Sequence, residues 1–323
     1  MSSQDNNSTD YDVIIIGGAA AGLTAALYAS RKALRTLVIA KALGGQAAMT
    51  PSIENYPGTQ KIGGIELMSN FLEHAKANGA QIKYETAAGV GKKDDAFEVK
   101  TNAETYHAPV VILAYGLTPR NMDVPGEKEF QGKGVTYCAT CDGPLFKNRK
   151  TAVVGGTQDA LESALYLAKL GSEVTLIHDK DGYPAWKNLF EQVQANSSIT
   201  VMLNTEVVRV EGDKVVSGIV VNGPDGEATV EVAGIFVEKG HRIDSSWCAD
   251  LVECNPRGMI RVNKAQETKT PGLFAAGDVT NQRDKQVVIS AAAGAVAALS
   301  AFKYLQEKEG KNVVTNDWEH SEE

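Results

Sequence analysis

Residues 13–22 read Val13-Ile14-Ile15-Ile16-Gly17-Gly18-Ala19-Ala20-Ala21-Gly22, and they indicate how the chain begins to fold. The four branched residues predict a parallel strand buried on both faces, because such strands are apolar along their whole length. The glycine-rich turn and the helix-forming segment Leu23–Arg31 after it are typical of a dinucleotide-binding fold, in which the turn approaches a pyrophosphate. Ala19 stands where a second glycine is usual and adds one methyl group near the phosphate position.

The same pattern returns 138 residues further along the chain. Strand, turn, helix and second strand are predicted at Thr151–Val154, Gly155–Gly156, Ala160–Leu170 and Val174–Ile177. Two such units predict an α/β protein with two Rossmann-like dinucleotide-binding domains. A further apolar strand ends in Gly277-Asp278 and precedes a predicted helix rich in small residues, over Gln286–Leu305.

Composition limits the classes of function. The 323 residues include 43% apolar side chains, which suits an ordinary soluble α/β protein of two domains, and a net charge of −8 argues against a nucleic-acid partner. Four cysteines are too few for a disulfide scaffold. The first ten residues do not resemble a signal peptide, and the apolar runs Val13–Ser30 and Val287–Ala301 are unconvincing as membrane spans. We therefore expect a cytoplasmic protein without membrane contact.

The chemistry is indicated by Cys138-Ala139-Thr140-Cys141-Asp142. Two thiols at this spacing at the start of a helix can close a disulfide, and Asp142 can exchange a proton during thiol exchange. The alternative is half of a zinc site, for which Cys248 and Cys254 would supply the other half poorly because they are six residues apart. We favour redox chemistry without a metal, and expect Cys248 and Cys254 to be free thiols.

Four further stretches are distinctive when taken together: Gly44-Gly45-Gln46, Ile53-Glu54-Asn55-Tyr56-Pro57-Gly58, Gly134 to Gly143 around the cysteines, and Phe274-Ala275-Ala276-Gly277-Asp278-Val279. Through them the chain resembles the low-molecular-weight thioredoxin reductases over nearly its whole length. The resemblance implies a discontinuous FAD-binding domain, residues 1–117 and 245–323. A NAD(P)-binding-like domain, residues 118–244, is inserted in it and carries the cysteines.

The resemblance also implies the roles of individual residues. FAD, held non-covalently, would contact Gly17, Ala19, Ala20, Ala21, Gly22, Gly45, Gln46, Asn55, Gly116, Gly277, Asp278, Lys285, Gln286 and Val287. Cys141 would face the flavin, Cys138 would attack the disulfide of a thioredoxin-like protein, and Asp142 would act as acid and base. The family is homodimeric. Trp318, in the acidic C-terminal stretch, would be an unbound tail residue, or would cover the flavin.

The second glycine turn departs from the family. Thr157 replaces the glycine that lets the backbone approach pyrophosphate, and Asp159 brings negative charge to the helix start. Asp179 and Pro184 stand where family arginines grip the 2′-phosphate of NADPH. We therefore expect a donor other than NADPH.

Three alternatives remain for this second site. Asp179 could bind the ribose of NADH, or electrons could reach the flavin from reduced ferredoxin. A different nucleotide or a second flavin could also stack on Tyr183 or Trp186, although we favour packing roles for both rings. The sequence also leaves open an NADPH-dependent reductase with unusual recognition, or a redox-sensing protein with little turnover.

Overall fold

A computed structural model describes residues 11–50 and 52–311, so Trp318 lies outside the described residues. These residues divide into two units. The first comprises 11–48, 64–117 and 243–311, and the second comprises 49–50, 52–63 and 118–242. By these contacts the chain passes to the second unit after residue 117 and returns to the first at 243, and the assignment of a cofactor to each unit stays a prediction. The segment around 49–63 groups with the second unit, contrary to prediction, and Gln131 reaches Met49 Sδ at 3.8 Å within that unit.

The strands, in chain order, are β1 (Val13–Gly18), β2 (Thr36–Leu43), β3 (Gln81–Lys83), β4 (Ala87–Lys93), β5 (Ala96–Thr101), β6 (Thr105–Ala108), β7 (Val110–Leu113), β8 (Thr118–Pro119), β9 (Val135–Thr136), β10 (Lys150–Val154), β11 (Glu173–Ile177), β12 (Ile199–Met202), β13 (Glu206–Gly212), β14 (Val216–Gly223), β15 (Gly226–Glu231), β16 (Gly234–Val237), β17 (His241–Arg242) and β18 (Leu273–Ala275). The helices are α1 (Ala20–Arg31), α2 (Gly64–Ala77), α3 (Ala139–Asp142), α4 (Gln158–Lys169), α5 (Lys187–Gln194) and α6 (Val287–Lys308).

The first unit is built on a parallel sheet in the order β18-β7-β1-β2-β3. In its centre Ile14 of β1 pairs with Leu37 of β2 and Val111 of β7, and all three side chains are fully buried. This arrangement confirms the buried parallel strand predicted from the branched run. An antiparallel layer of β4, β5 and β6 belongs to the same unit.

The second unit repeats the design with the parallel order β12-β11-β10-β16-β9. Helix α4 connects β10 to β11, as expected for a crossover between parallel strands. An antiparallel sheet of β13, β14 and β15 and the short β8–β17 pair complete the unit. The α/β class with two Rossmann-like folds is therefore confirmed.

Helix α6 packs tightly on α1 through small residues. A Cβ atom on Gly294 would lie 2.1 Å from the carbonyl oxygen of Ala21, so the backbones approach too closely for any side chain there. Several alanines and one leucine of α6 are buried with Gly294 and Ser290, although its length and composition alone would also suit a membrane span. We interpret α6 as a core helix of the first unit.

We expect Gly294→Ala to lower the free energy of unfolding by about 2 kcal/mol, because overpacking forces the two helices apart. Urea denaturation followed by circular dichroism measures the change. The matched control is Gly89→Ala on β4, where an added Cβ would meet no atom within 4 Å. A Gly294→Ala protein as stable as the control would contradict the packing described here.

Candidate active site

The redox-active candidate is a disulfide in the second unit. Cys138 and Cys141 are bonded, with their Cα atoms 5.3 Å apart across the start of α3. The backbone N–H of Cys141 also donates a hydrogen bond to Cys138 Sγ at 3.2 Å. Of the remaining cysteines, Cys248 is buried and Cys254 exposed, and both are free. Burial raises the pKa of Cys248 to about 11, so this thiol is not activated as a nucleophile.

Asp142 follows the disulfide directly and is buried, 5% exposed. Thr136 donates a hydrogen bond from its hydroxyl to Asp142 Oδ2, whereas Oδ1 makes no hydrogen bond within the described part of the chain. Burial raises the pKa of Asp142 above its ordinary value, and the Thr136 hydrogen bond opposes that rise. A carboxyl in this state can hold and release a proton next to the cysteines.

Sequence reasoning missed Glu127, which contacts Tyr137, the residue that precedes Cys138. Its carboxylate accepts hydrogen bonds from Tyr137 Oη at 2.9 Å and from the backbone N–H groups of Met122 and Asp123 at 2.8 and 2.7 Å. Glu127 is 1% exposed, so these donors replace the water it has lost. No local sequence pattern marks the residue, because Tyr137 lies ten residues away.

The first glycine turn fits a phosphate-bearing cofactor. Gly17 has φ +127°, and a Cβ there would lie 2.1 Å from the carbonyl oxygen of Ala114. A Cβ on Gly22 would lie 1.9 Å from the carbonyl oxygen of Gly17, which explains why both positions need glycine. Ala19 precedes α1 as its N-cap residue and offers no side-chain cap, so backbone N–H groups at the helix start remain for an anion. Gly45 lies nearby, its Cβ position 3.1 Å from Ala19 Cβ.

Other predicted FAD contacts lie in the same unit. Gln46 Nε2 donates to the carbonyl oxygen of Leu117 at 3.0 Å, which fixes its side chain beside Gly116. A Cβ on Gly277 would lie 2.7 Å from that of Ala21, next to the first turn. Asn55 is the exception, because it lies exposed in the second unit.

The stretch before α6 is held by two polar side chains. Asp278 Oδ1 accepts a hydrogen bond from Ser290 at 2.8 Å, and Lys285 Nζ donates to the carbonyl oxygens of Asp278 and Thr280, both at 2.9 Å. Burial lowers the pKa of Lys285. Lys285 therefore stabilises its own loop, which the resemblance did not predict. Gln286 precedes α6 and Val287 begins it.

The second glycine turn is occupied by its own chain. Thr157 Oγ1 accepts from the N–H of Ala160 at 3.2 Å and donates to the carbonyl oxygen of Glu238 at 2.9 Å, so it caps α4. A Cβ on Gly156 would lie 2.2 Å from His178 Cε1, so this imidazole covers the turn.

Tyr183 contacts the same turn. It is 2% exposed, donates from Oη to the carbonyl oxygen of Gly155 at 2.7 Å, and contacts the ring of His178 in a tilted arrangement with centroids 4.6 Å apart. This agrees with a packing role and leaves no free face for a second flavin. His178 Nδ1 lies 3.0 Å from Asp179 Oδ1.

A comparison with protein families agrees with the two glycine turns and with the disulfide. The family described as pyridine nucleotide-disulphide oxidoreductase matches residues 11–298. The chain belongs to that family. The description of this family names both a pyridine nucleotide and a disulphide, and this chain contains two dinucleotide-type units and a disulfide.

Among its relatives in the family, the chain is similar to a thioredoxin reductase of Treponema pallidum. The two are 42% identical over 301 residues, 92% of this chain and 98% of the relative. It is also 38% identical over 311 residues to an alkyl hydroperoxide reductase component of Staphylococcus epidermidis, but spans only 61% of that protein.

Among solved structures, the thioredoxin reductase of Streptococcus pyogenes superposes with a TM-score of 0.88 at 33% identity, covering 93% of this chain and all of the other. The chain is thus a flavin-dependent pyridine nucleotide-disulphide oxidoreductase of the thioredoxin reductase type, as the sequence predicted.

Proposed function

We propose that the protein reduces the disulfide of a thioredoxin-type protein. The observation that carries this proposal is the Cys138–Cys141 disulfide with the buried carboxyl of Asp142 beside it. The residues of the first turn would hold FAD, which would supply the electron pair that reduces this disulfide. The residues proposed to hold FAD are those predicted from the resemblance, and the uncapped start of α1 supports the site of its pyrophosphate.

Cys138, Cys141 and Asp142 have separate roles in the proposed thiol–disulfide exchange. Cys138 attacks the target disulfide and forms a mixed disulfide, and Cys141 then displaces the target thiol to restore the Cys138–Cys141 bond. Asp142 exchanges the proton that accompanies these steps, with Thr136 fixing its orientation. Cys141 is proposed to be the cysteine that faces the flavin.

We further propose that NADPH is not the electron donor. Thr157 already caps the helix start that would bind pyrophosphate, and His178 and Tyr183 cover the two glycines. Asp159 and Asp179 add negative charge where phosphates would lie. Reduced ferredoxin is the favoured donor, with NADH as the second candidate because Asp179 can accept hydrogen bonds from ribose hydroxyls.

The proposed assembly is a homodimer in the cytoplasm. Support comes from α6, whose outer face exposes Val288, Val296 and Leu299 at helical spacing. These side chains are 37–42% exposed, whereas eight residues of the same helix are buried. A second copy of this chain would bury them.

The function can be tested without knowing the donor. The flavoprotein is photoreduced without oxygen and mixed with oxidised thioredoxin, and the new thioredoxin thiols are counted. We expect one target disulfide reduced per electron pair, and none with Cys138→Ser. Full electron transfer to the physiological acceptor by Cys138→Ser would instead indicate a flavoprotein in which the cysteines are secondary, and no transfer by the unmodified protein would favour a redox sensor.

A further inference from the structure

Glu238 is a buried carboxyl in the second unit that the proposed reaction does not use. It directly follows β16 and is 7% exposed. Ser163 on α4 donates a hydrogen bond to Glu238 Oε1 at 3.0 Å. The backbone N–H of Ala139, which stands between the two cysteines, also acts on this carboxyl and lowers its pKa. The Glu238 side chain therefore joins α4 to the loop that carries the disulfide.

The groups around Glu238 bring the pKa of its carboxyl close to neutral pH. Burial raises the pKa of Glu238 to about 7, and the negative charge of Asp159 on α4 adds to the rise. The adjoining elements also carry Asp142 on α3, Glu162, Tyr166 and Lys169 on α4, Lys150 at the start of β10, and Lys239 next in the chain. Near neutral pH the carboxyl is therefore present in both charge states.

We propose that Glu238 is a positioning residue whose charge controls how readily Cys138 ionises once the disulfide has been reduced. A carboxylate that engages the N–H of Ala139 opposes a thiolate on the adjoining cysteine, whereas a neutral carboxyl does not. The coupling is reciprocal, so a thiolate on Cys138 favours protonation of Glu238, and the two groups titrate as a pair.

The proton balance of this step is simple. Two electrons break the S–S bond, and the sulfurs take up protons from solvent or remain as thiolates. When a thiolate charge forms on Cys138, the protonated fraction of Glu238 rises, with the added protons taken from solvent, and these protons are released when the disulfide forms again and the thiolate charge is lost. The inference needs only the disulfide, so it goes beyond the proposed function and holds whichever donor or target is correct.

The test is the alkylation rate of Cys138 as a function of pH. The flavoprotein is reduced with excess dithiothreitol, freed of it without oxygen, and treated with iodoacetamide, with each cysteine followed by mass spectrometry. The rate reports the thiolate fraction. We expect the profile of the unmodified protein to contain a step assigned to Glu238, and we expect that step to be absent from the profile of Glu238→Gln. At a charge separation of ~10 Å, Cys138 in this variant should react about tenfold faster near neutral pH.

Two further variants separate charge from structure. Ser163→Ala keeps the carboxyl but removes a hydrogen bond that lowers its pKa, so the step assigned to Glu238 should move to higher pH. Glu231→Gln removes an exposed carboxylate from β15 in the same unit and should leave the profile unchanged.

The outcomes decide the proposal as follows. A Glu238→Gln profile that superimposes on that of the unmodified protein overturns it, and so does an equal change in Glu231→Gln. If Glu238→Gln does not fold, Ser163→Ala decides: an upward shift of the step supports the role of Glu238, and an unmoved step overturns it.

Discussion

Replacing Cys141 by serine is expected to abolish thioredoxin reduction, by at least about a thousandfold, while the protein keeps its flavin. Without Cys141 the disulfide cannot form, and a mixed disulfide between Cys138 and its target cannot be displaced from within the chain. The flavin should remain because the first glycine turn lies in the other unit of the chain. Turnover assays and the flavin absorbance spectrum of the same preparation provide both measurements.

The control for this prediction is Cys254→Ser, since Cys254 is an exposed free thiol. It should retain full turnover and full flavin content. A Cys141→Ser protein isolated without flavin would show that Cys141 supports the cofactor site, and near-normal turnover would show that the disulfide is not on the path of the electrons.

NADPH in moderate excess is expected to leave the flavin oxidised for seconds in anaerobic stopped-flow absorbance. The carboxylate of Asp179 would face the 2′-phosphate, and at ~5 Å with an effective dielectric of ~20 such a pair costs about 3 kcal/mol, or about two decades of affinity. Thr157, His178 and Tyr183 add a steric obstacle, because the turn is filled by side chains.

Two variants make this prediction specific. Asp179→Asn should tighten NADPH binding by up to about a hundredfold, since it removes the like charge. Asp213→Asn, a change of the same charge in the loop between β13 and β14, should have no effect. Rapid bleaching of the unmodified protein by micromolar NADPH would contradict the proposal and indicate a reductase with unusual cofactor recognition. Mixing with NADH and with reduced ferredoxin then identifies the donor.

The parts of the fold set by local sequence could be predicted. The run Val13–Ile16 is apolar and branched at every position, which is typical of a strand buried on both faces, and Gly17 and Gly22 stand where any Cβ would collide with backbone. The disulfide could also be predicted from local sequence, because its two cysteines are three residues apart.

The parts set by distant residues could not be predicted. Tyr183 lies 28 residues from the Gly155 carbonyl that it contacts, and Glu238 lies 75 residues from Ser163. No periodicity or motif links such pairs, since they meet only after the strands of the second sheet are aligned. The grouping of Asn55 with the second unit depends in the same way on contacts far along the chain.

The two glycine turns differ in how the helix that follows each of them is capped, and this difference affects folding stability. Helix α1 starts without a side-chain cap, whereas Thr157 caps α4 from within the chain. Amide donors that lack a partner gain one when a phosphate binds, so a ligand at the first turn contributes to the folding stability of its unit. At the start of α4 the hydroxyl of Thr157 already serves one of these donors. Loss of the flavin should therefore lower the stability of the first unit more than that of the second.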